Sequence, residues 1–184
     1  MSTVWAVLSE TDRTALFTFK SKKVAVIMGS GSDLPVLEKC FKILSELSVP
    51  FEAHVFSAHR TPEEARSFSE SARENGFGVI IAAAGMAAHL AGAIAANTTL
   101  PVIGIPIKSK YFDGMDALLS TVMMPPGIPV GTVGVDAGKN AALFAAEILS
   151  VSDEVLSDKL LKLREDNKKA VIEKDKAIFK KYTD

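Results

Sequence analysis

Three short stretches hold the residue types that could do chemistry: "GSGSD" (29–33), "SAHR" (57–60) and "AGMAAH" (84–89). In the first, Ser30 and Ser32 offer hydroxyls, and the small residues leave backbone N–H groups open to an anion. A helix starting near Asp33 would aim its N-terminus at the same ligand. The Asp33 carboxylate repels phosphate, so it faces ribose hydroxyls or only caps the helix. Read as structure alone, this loop is a tight turn with an ordinary cap. "SAHR" adds Arg60, a forked anion donor, with the Ser57 hydroxyl beside it. His59, held between a strand and a helix start, can give or take a proton near neutral pH. The bland reading is a histidine that satisfies a backbone carbonyl. His89 lies in an Ala-rich stretch, where a polar ring is costly unless it is paired or faces a ligand. Taken alone it is a core histidine, but its place in the third loop turns the reading toward a site. His54 alternates along a strand without such company and is read as structural.

Several chemistries fail on spacing. Gly29 and Gly31 match the first two glycines of a dinucleotide fingerprint, but Leu34 occupies the third position. Ser57 stands where an acidic residue would hold a ribose hydroxyl. No Lys-Ser or Lys-Thr follows the loop, and no G-x-S-x-G occurs there. The 3 histidines and 1 cysteine fall at none of the zinc spacings, so no metal is expected. What remains is a phosphate or sugar-phosphate cradle with proton transfer in a closed pocket.

The elements that must position these loops are legible. Val24–Met28, Phe51–Phe56, Val79–Ala83, Val102–Ile105 and Val130–Val135 read as strands. Between them, Leu34, Leu37, Phe41 and Leu44 repeat at helical spacing, with Asp33 placed as cap and Pro35 in the first turn. Thr61-Pro62-Glu63-Glu64 reads as a second helix start, with Thr61 as N-cap and Glu64 closing a capping box. Residues 87–96 and 138–150 give further helices. Strand–helix alternation predicts an α/β fold: a flavodoxin-like three-layer sandwich around a central parallel sheet. In it, ligands bind beyond the carboxyl ends of the strands, where the three loops lie.

The whole chain fits one such domain. Its 184 residues are 48% hydrophobic with a net charge of −1, enough for a core and without the basic surplus that nucleic acid or an acidic membrane attracts. Cys40 is the single cysteine, so no intrachain disulfide can form and a cytoplasmic location is expected. Residues 79–96 are long and apolar enough to suggest a membrane span, but Gly85 and Met86 split them, and Gly76, Asn97 and Pro101 bracket them with turn signals. They read as a buried strand followed by a buried helix. The chain divides into an N-terminal extension (1–23), a catalytic core (24–151) and a charged helical tail (152–184) that packs on the core or on a neighbouring subunit. "VWAVL" and "LFTF" in the extension could form a hairpin.

Taken together, "MGSGSD", "SAHRTPE" and "AGMAAHLAG", followed by "PVIGIPI", "MPPGIPVGTV" and "NAALFAAEIL", closely resemble the PurE family of purine biosynthesis from about Val24 to Ser150. The resemblance implies a flavodoxin-like subunit assembled as a homo-octamer, working without a cofactor. It implies a class I mutase that interconverts 5-(carboxyamino)imidazole ribonucleotide and carboxyaminoimidazole ribonucleotide, fed by the ATP-dependent synthetase that makes the carbamate. His59 matches the family's catalytic histidine, and His89 the second histidine of class I. Ser30, Ser32 and Asp33 would hold the phosphoribosyl group, Ser57 and Arg60 the phosphate, and Gly85, Ala88 and Leu90 would complete the pocket. Met86 stands where Gly is frequent in class I, Ala91 where Pro is, and Met123 where Gln is. Two rivals remain: a class II carboxylase that joins carbon dioxide to aminoimidazole ribonucleotide, and a non-enzymatic flavodoxin-like nucleotide-binding module.

Overall fold

The computed structural model describes residues 22–183, so the hairpin expected in the extension lies outside the described residues. Five strands run in parallel: β1 (Lys23–Met28), β2 (Phe51–Val55), β3 (Phe77–Gly85), β4 (Val102–Ile107) and β5 (Gly131–Thr132), in the order β2-β1-β3-β4-β5. The helices are α1 (Leu34–Glu46), α2 (Pro62–Ser71), α3 (Leu90–Ala95), α4 (Met115–Val122), α5 (Gly138–Ser150) and α6 (Glu154–Thr183). This is the expected flavodoxin-like sandwich.

The strands are continuous apolar runs because both faces of the sheet are covered. Side chains alternate between the faces. Val24, Val26, Val79, Ile81, Ile103 and Ile105 face α1 and α5. Ala25, Ile27, Ile80 and Ala82 meet Phe77 and α3 on the other side. Helix α5 approaches closely because Ala141, Ala142, Ala145 and Ala146 fill the contact, and a Cβ at Gly138 would collide with the Val36 carbonyl.

The structure modifies or adds to the sequence reading at four points. Strand β5 is two residues long, not six, although Val133 and Asp136 still donate backbone N–H groups to the β4 residues Gly104 and Pro106 at 3.1 and 2.9 Å. Helix α4 has no clear sequence signal. Helix α3 is apolar all round for an internal reason: Leu90, Ala91, Ile94 and Ala95 are buried within this subunit, and Met124 lies against Gly92. The tail is indeed one long helix, but its two halves differ. Asp153 caps it by accepting from the Leu156 N–H at 3.0 Å, and Leu156 and Leu160 are buried while Lys159 donates to the Leu47 carbonyl at 2.8 Å. From Arg164 onward every described residue is exposed. Among the described residues no helix is long and apolar enough to cross a membrane.

Candidate active site

Strand β1 pairs with β2 on one side and β3 on the other, so the chain changes direction between these neighbours. The loops after these three strands meet beyond their carboxyl ends, where such a sheet leaves a crevice. They enclose a cavity of ≈480 Å³ lined by Ser30, Ser32, Asp33, Ser57, His59, Arg60, Gly85, Met86, His89 and Leu90, among others. Every site residue expected from sequence is therefore brought together except Ala88. That residue is only 2% exposed and does not line the cavity.

The first loop is a reciprocal cap. The Ser30 hydroxyl accepts from the Ser32 N–H at 3.3 Å, while the Asp33 carboxylate accepts from the Ser30 N–H at 3.1 Å. The capping box expected at Thr61–Glu64 is thus found here instead. Asp33 makes no side-chain cap to α1, because its carboxylate turns back into the loop. The same carboxylate accepts from the Ser32 hydroxyl at 3.3 Å. Burial raises the Asp33 pKa; the Ser30 N–H and the Ser32 hydroxyl oppose the shift, and nearby Asp136 adds to it.

The second loop is tied twice. Thr61, expected to cap α2, instead accepts at Oγ1 from the Ser57 N–H at 2.8 Å and donates to the Ser57 carbonyl at 3.3 Å. Arg60 donates through Nε to the Ser57 hydroxyl at 3.4 Å and through Nη2 to the Gly29 carbonyl at 3.0 Å. That second bond fixes one loop against the next. It leaves guanidinium N–H groups for an anion, and the five-donor fork suits a phosphate.

The third loop turns sharply. Gly85 allows a close approach of β4, since a Cβ there would sit 3.2 Å from the Ile107 carbonyl oxygen, tighter than an ordinary contact. Met86 follows with φ 56, in the left-handed region. A side chain there costs about 1–2 kcal/mol relative to glycine. The chain then delivers His89 to the start of α3, where His89 Nδ1 lies 2.9 Å from His59 Nε2 with the rings nearly perpendicular at 79°. This bond needs one nitrogen protonated and the other bare, an arrangement that can hold and pass a proton. His54 stays outside the site, stacked on Phe56 at 5.2 Å and against Phe68 at 4.9 Å. Sequence reasoning assigns no role to the Gly29 carbonyl, which carries no signal of its own, or to Met86, marked only by the frequency of Gly at that position in class I.

A second and larger cavity, ≈1020 Å³, lies at the opposite end of the sheet, bordered by Arg73, Thr99, Val102, Ile128, Phe144 and Ile148 among others. It contains no histidine or cysteine. Among the described residues no group of three His, Cys, Asp or Glu side chains could hold a metal ion.

Comparison with known proteins gives a consistent picture. A family model described as AIR carboxylase matches residues 23–170. The N5-carboxyaminoimidazole ribonucleotide mutase of Pyrococcus abyssi is 56% identical over 147 residues, covering 80% of this chain and 84% of that protein. The mutase of the same name from Bacillus subtilis is 53% identical over 152 residues, covering 82% and 94%. The crystal structure of Treponema denticola PurE superposes with a TM-score of 0.78 at 30% identity, covering 85% of this chain and 98% of that one.

Proposed function

The chain belongs to the AIR carboxylase family, and from that premise we propose how its cavity carries out the reaction. The protein is a mutase of purine biosynthesis that converts 5-(carboxyamino)imidazole ribonucleotide to carboxyaminoimidazole ribonucleotide. Ser57 and Arg60 take the phosphate, and Ser30, Ser32 and Asp33 take the ribose side of the phosphoribosyl group. The Asp33 carboxylate suits hydroxyl donors rather than phosphate oxygens. Gly85 and Leu90 flank the base, with Ala88 acting from beneath the wall. Proton transfer and confinement suffice for the chemistry, so no cofactor is required.

His59 acts as the acid first. The carbamate N–C bond breaks, its electron pair returns to nitrogen, and His59 supplies the proton that nitrogen takes. Carbon dioxide is left neutral in the cavity. The ring carbon then attacks it, forming the new C–C bond, and the ring proton passes to the now neutral His59. Atoms and charge balance, and His59 ends as it began. His89, bonded to His59 at 2.9 Å, orients the ring and shares the proton. Confinement makes recapture effectively unimolecular, which supplies much of the acceleration. The His59–His89 contact inside an anion-binding cavity is the observation that carries this reading.

The direct test is incubation with synthetic carbamate substrate, following its loss and the appearance of the carbon-linked product. Turnover that instead requires aminoimidazole ribonucleotide and carbon dioxide would favour the carboxylase reaction. The similarity to proteins named as mutases disfavours that alternative. Ribonucleotide binding with no conversion would favour a binding module.

We further propose a homo-octamer, and an upstream ATP-dependent synthetase that hands over the carbamate. Support for assembly comes from helix α4, where Met115, Leu119 and Val122 lie exposed on one face beside Met123. It also comes from the outer half of α6, where Val171, Ile178 and Tyr182 stand clear of the core. A monomeric mass in sedimentation at micromolar concentration would contradict the octamer.

A further inference from the structure

We propose that Thr61 is a positioning residue for the phosphate end of the substrate: its hydroxyl clamps the main chain of Ser57 and so aims the Ser57 hydroxyl and the Arg60 fork. The inference rests on the assignment of Ser57 and Arg60 to the phosphate. It starts where the sheet lets go of the chain. The Phe56 N–H donates to the Met28 carbonyl at 3.0 Å, the last backbone bond from this strand to β1. Ser57 follows, and its N–H donates to Thr61 Oγ1 at 2.8 Å instead. The same hydroxyl donates to the Ser57 carbonyl at 3.3 Å, beside the Thr61 N–H at 2.9 Å. One side chain thus holds both main-chain polar groups of Ser57, and with them the direction of its Cα–Cβ bond.

What that direction controls is the anion site. Ser57 Oγ accepts from the Arg60 N–H at 3.2 Å and from Arg60 Nε at 3.4 Å. Those two bonds use both lone pairs of the hydroxyl, so its proton is left to donate to a phosphate oxygen. They also help to set the plane of the guanidinium, which the Gly29 carbonyl holds through Nη2 at 3.0 Å. A fork gains over a point charge only when its plane meets the phosphate correctly. Thr61 forgoes a favourable role to do this. It stands at the N-cap of α2, where a threonine hydroxyl ordinarily accepts from the first turn, and its side chain makes no such bond. Every contact in this series lies within one subunit, so it holds whatever the assembly.

The test is a double-mutant cycle read by calorimetry with carboxyaminoimidazole ribonucleotide. Thr61→Val keeps the shape of the side chain and loses the hydroxyl. Thr61→Ala loses the bulk as well, so the result does not depend on valine fitting the turn. Each should weaken binding by roughly 3- to 10-fold, the scale of one hydrogen bond, and should raise KM far more than it lowers kcat. Thr61→Ser keeps the hydroxyl and should bind as tightly as the wild type. In an Arg60→Lys background there is no fork to aim, so Thr61→Val and Thr61→Ala should cost little more, because residues that act through one another are not additive. Unchanged affinity in Thr61→Val and Thr61→Ala, a loss in Thr61→Ser as large as theirs, or losses that simply add in the Arg60→Lys background would each overturn the assignment and leave the mutase reading intact. A wild-type protein that binds the corresponding ribonucleoside as tightly as the ribonucleotide would instead overturn the phosphate site, and the role of Thr61 with it.

Discussion

The two cavities rank one way by size and the other way by chemistry. The one at the carboxyl ends of β1 to β3 has less than half the volume of the one at the opposite end, ≈480 against ≈1020 Å³. The smaller one nonetheless collects two histidines, an arginine, an aspartate and three serines. Parallel topology accounts for the difference. Every crossover helix begins at the carboxyl end of the sheet and finishes at the other. Backbone N–H groups and partial positive charge therefore gather at the first end, and carbonyls at the second. An anion is welcome at one and not at the other. Loops that come directly after strands also carry their side chains on a rigid base, whereas the larger cavity is walled by helix ends and by Ile128, Phe144 and Ile148. Volume alone does not make an active site.

The strongest way to break this comparison is to remove one group from each end. His59→Asn keeps much of the ring's shape but cannot carry the proton. Turnover should fall by about 10²–10⁴-fold, the range of a general acid–base residue, with ribonucleotide affinity largely kept. Phe144→Ala, at the larger cavity, should leave kcat unchanged. Comparable losses from both would mean that the ends are not functionally distinct. Near-normal turnover in His59→Asn would move the proton to His89.

A smaller effect sharpens the comparison for binding. Arg60 is fixed by bonds to the Ser57 hydroxyl and the Gly29 carbonyl, so its fork is already oriented before a ligand arrives. Arg60→Lys keeps the charge and loses the fork. Charge-assisted hydrogen bonds contribute about 1.5–3 kcal/mol, so ribonucleotide should bind about 10- to 100-fold more weakly by calorimetry. Arg73→Lys is the matched change at the other end. There Arg73 donates to the Thr99 hydroxyl at 3.0 Å, and the substitution should not alter that affinity. An unchanged affinity in Arg60→Lys would remove phosphate from its role.

Much of this contrast is legible in the sequence, for physical reasons. Strands buried on both faces are plain apolar runs, and the polar residues directly after each run must lie on the rim, so Ser30, His59, Arg60 and His89 can be named from sequence alone. Contacts between loops cannot. The His59–His89 bond joins residues 30 apart, and nothing local to either announces it. Thr61 and Asp33 are residue types that cap helices, but both side chains turn to the preceding loop, a choice set by tertiary geometry. Helix α4 escapes notice because it is only 8 residues long and follows Gly114, whose φ of 89 breaks the pattern ahead of it. Nor does methionine give any sign of the left-handed backbone at Met86.

The smallest predicted effect concerns Asp33 and asks whether the rim gives up stability for function. Asp33 is only 6% exposed, and burial is the largest influence on its carboxyl, whose pKa is raised in the folded state. A raised folded pKa means that the folded state binds the proton more tightly than the unfolded chain does. The associated stability is complete below the unfolded carboxylate range and is lost as pH rises through the folded pKa. At neutral pH the ionised Asp33 is thus a net cost to the fold, despite the Ser30 N–H and Ser32 hydroxyl bonded to it. Asp33→Asn keeps an acceptor for the Ser30 N–H and removes the buried charge. It should melt slightly higher than the wild type at pH 7, and this advantage should disappear in acid, where both forms are neutral. Ribonucleotide affinity should fall in the same variant, because the carboxylate is the stronger acceptor for ribose hydroxyls. A lower melting temperature at pH 7 would show that the loop's own hydrogen bonds outweigh burial, and that Asp33 serves the fold first. A higher one, with weaker binding, would make Asp33 a rim residue whose cost to the fold is offset only when substrate is bound.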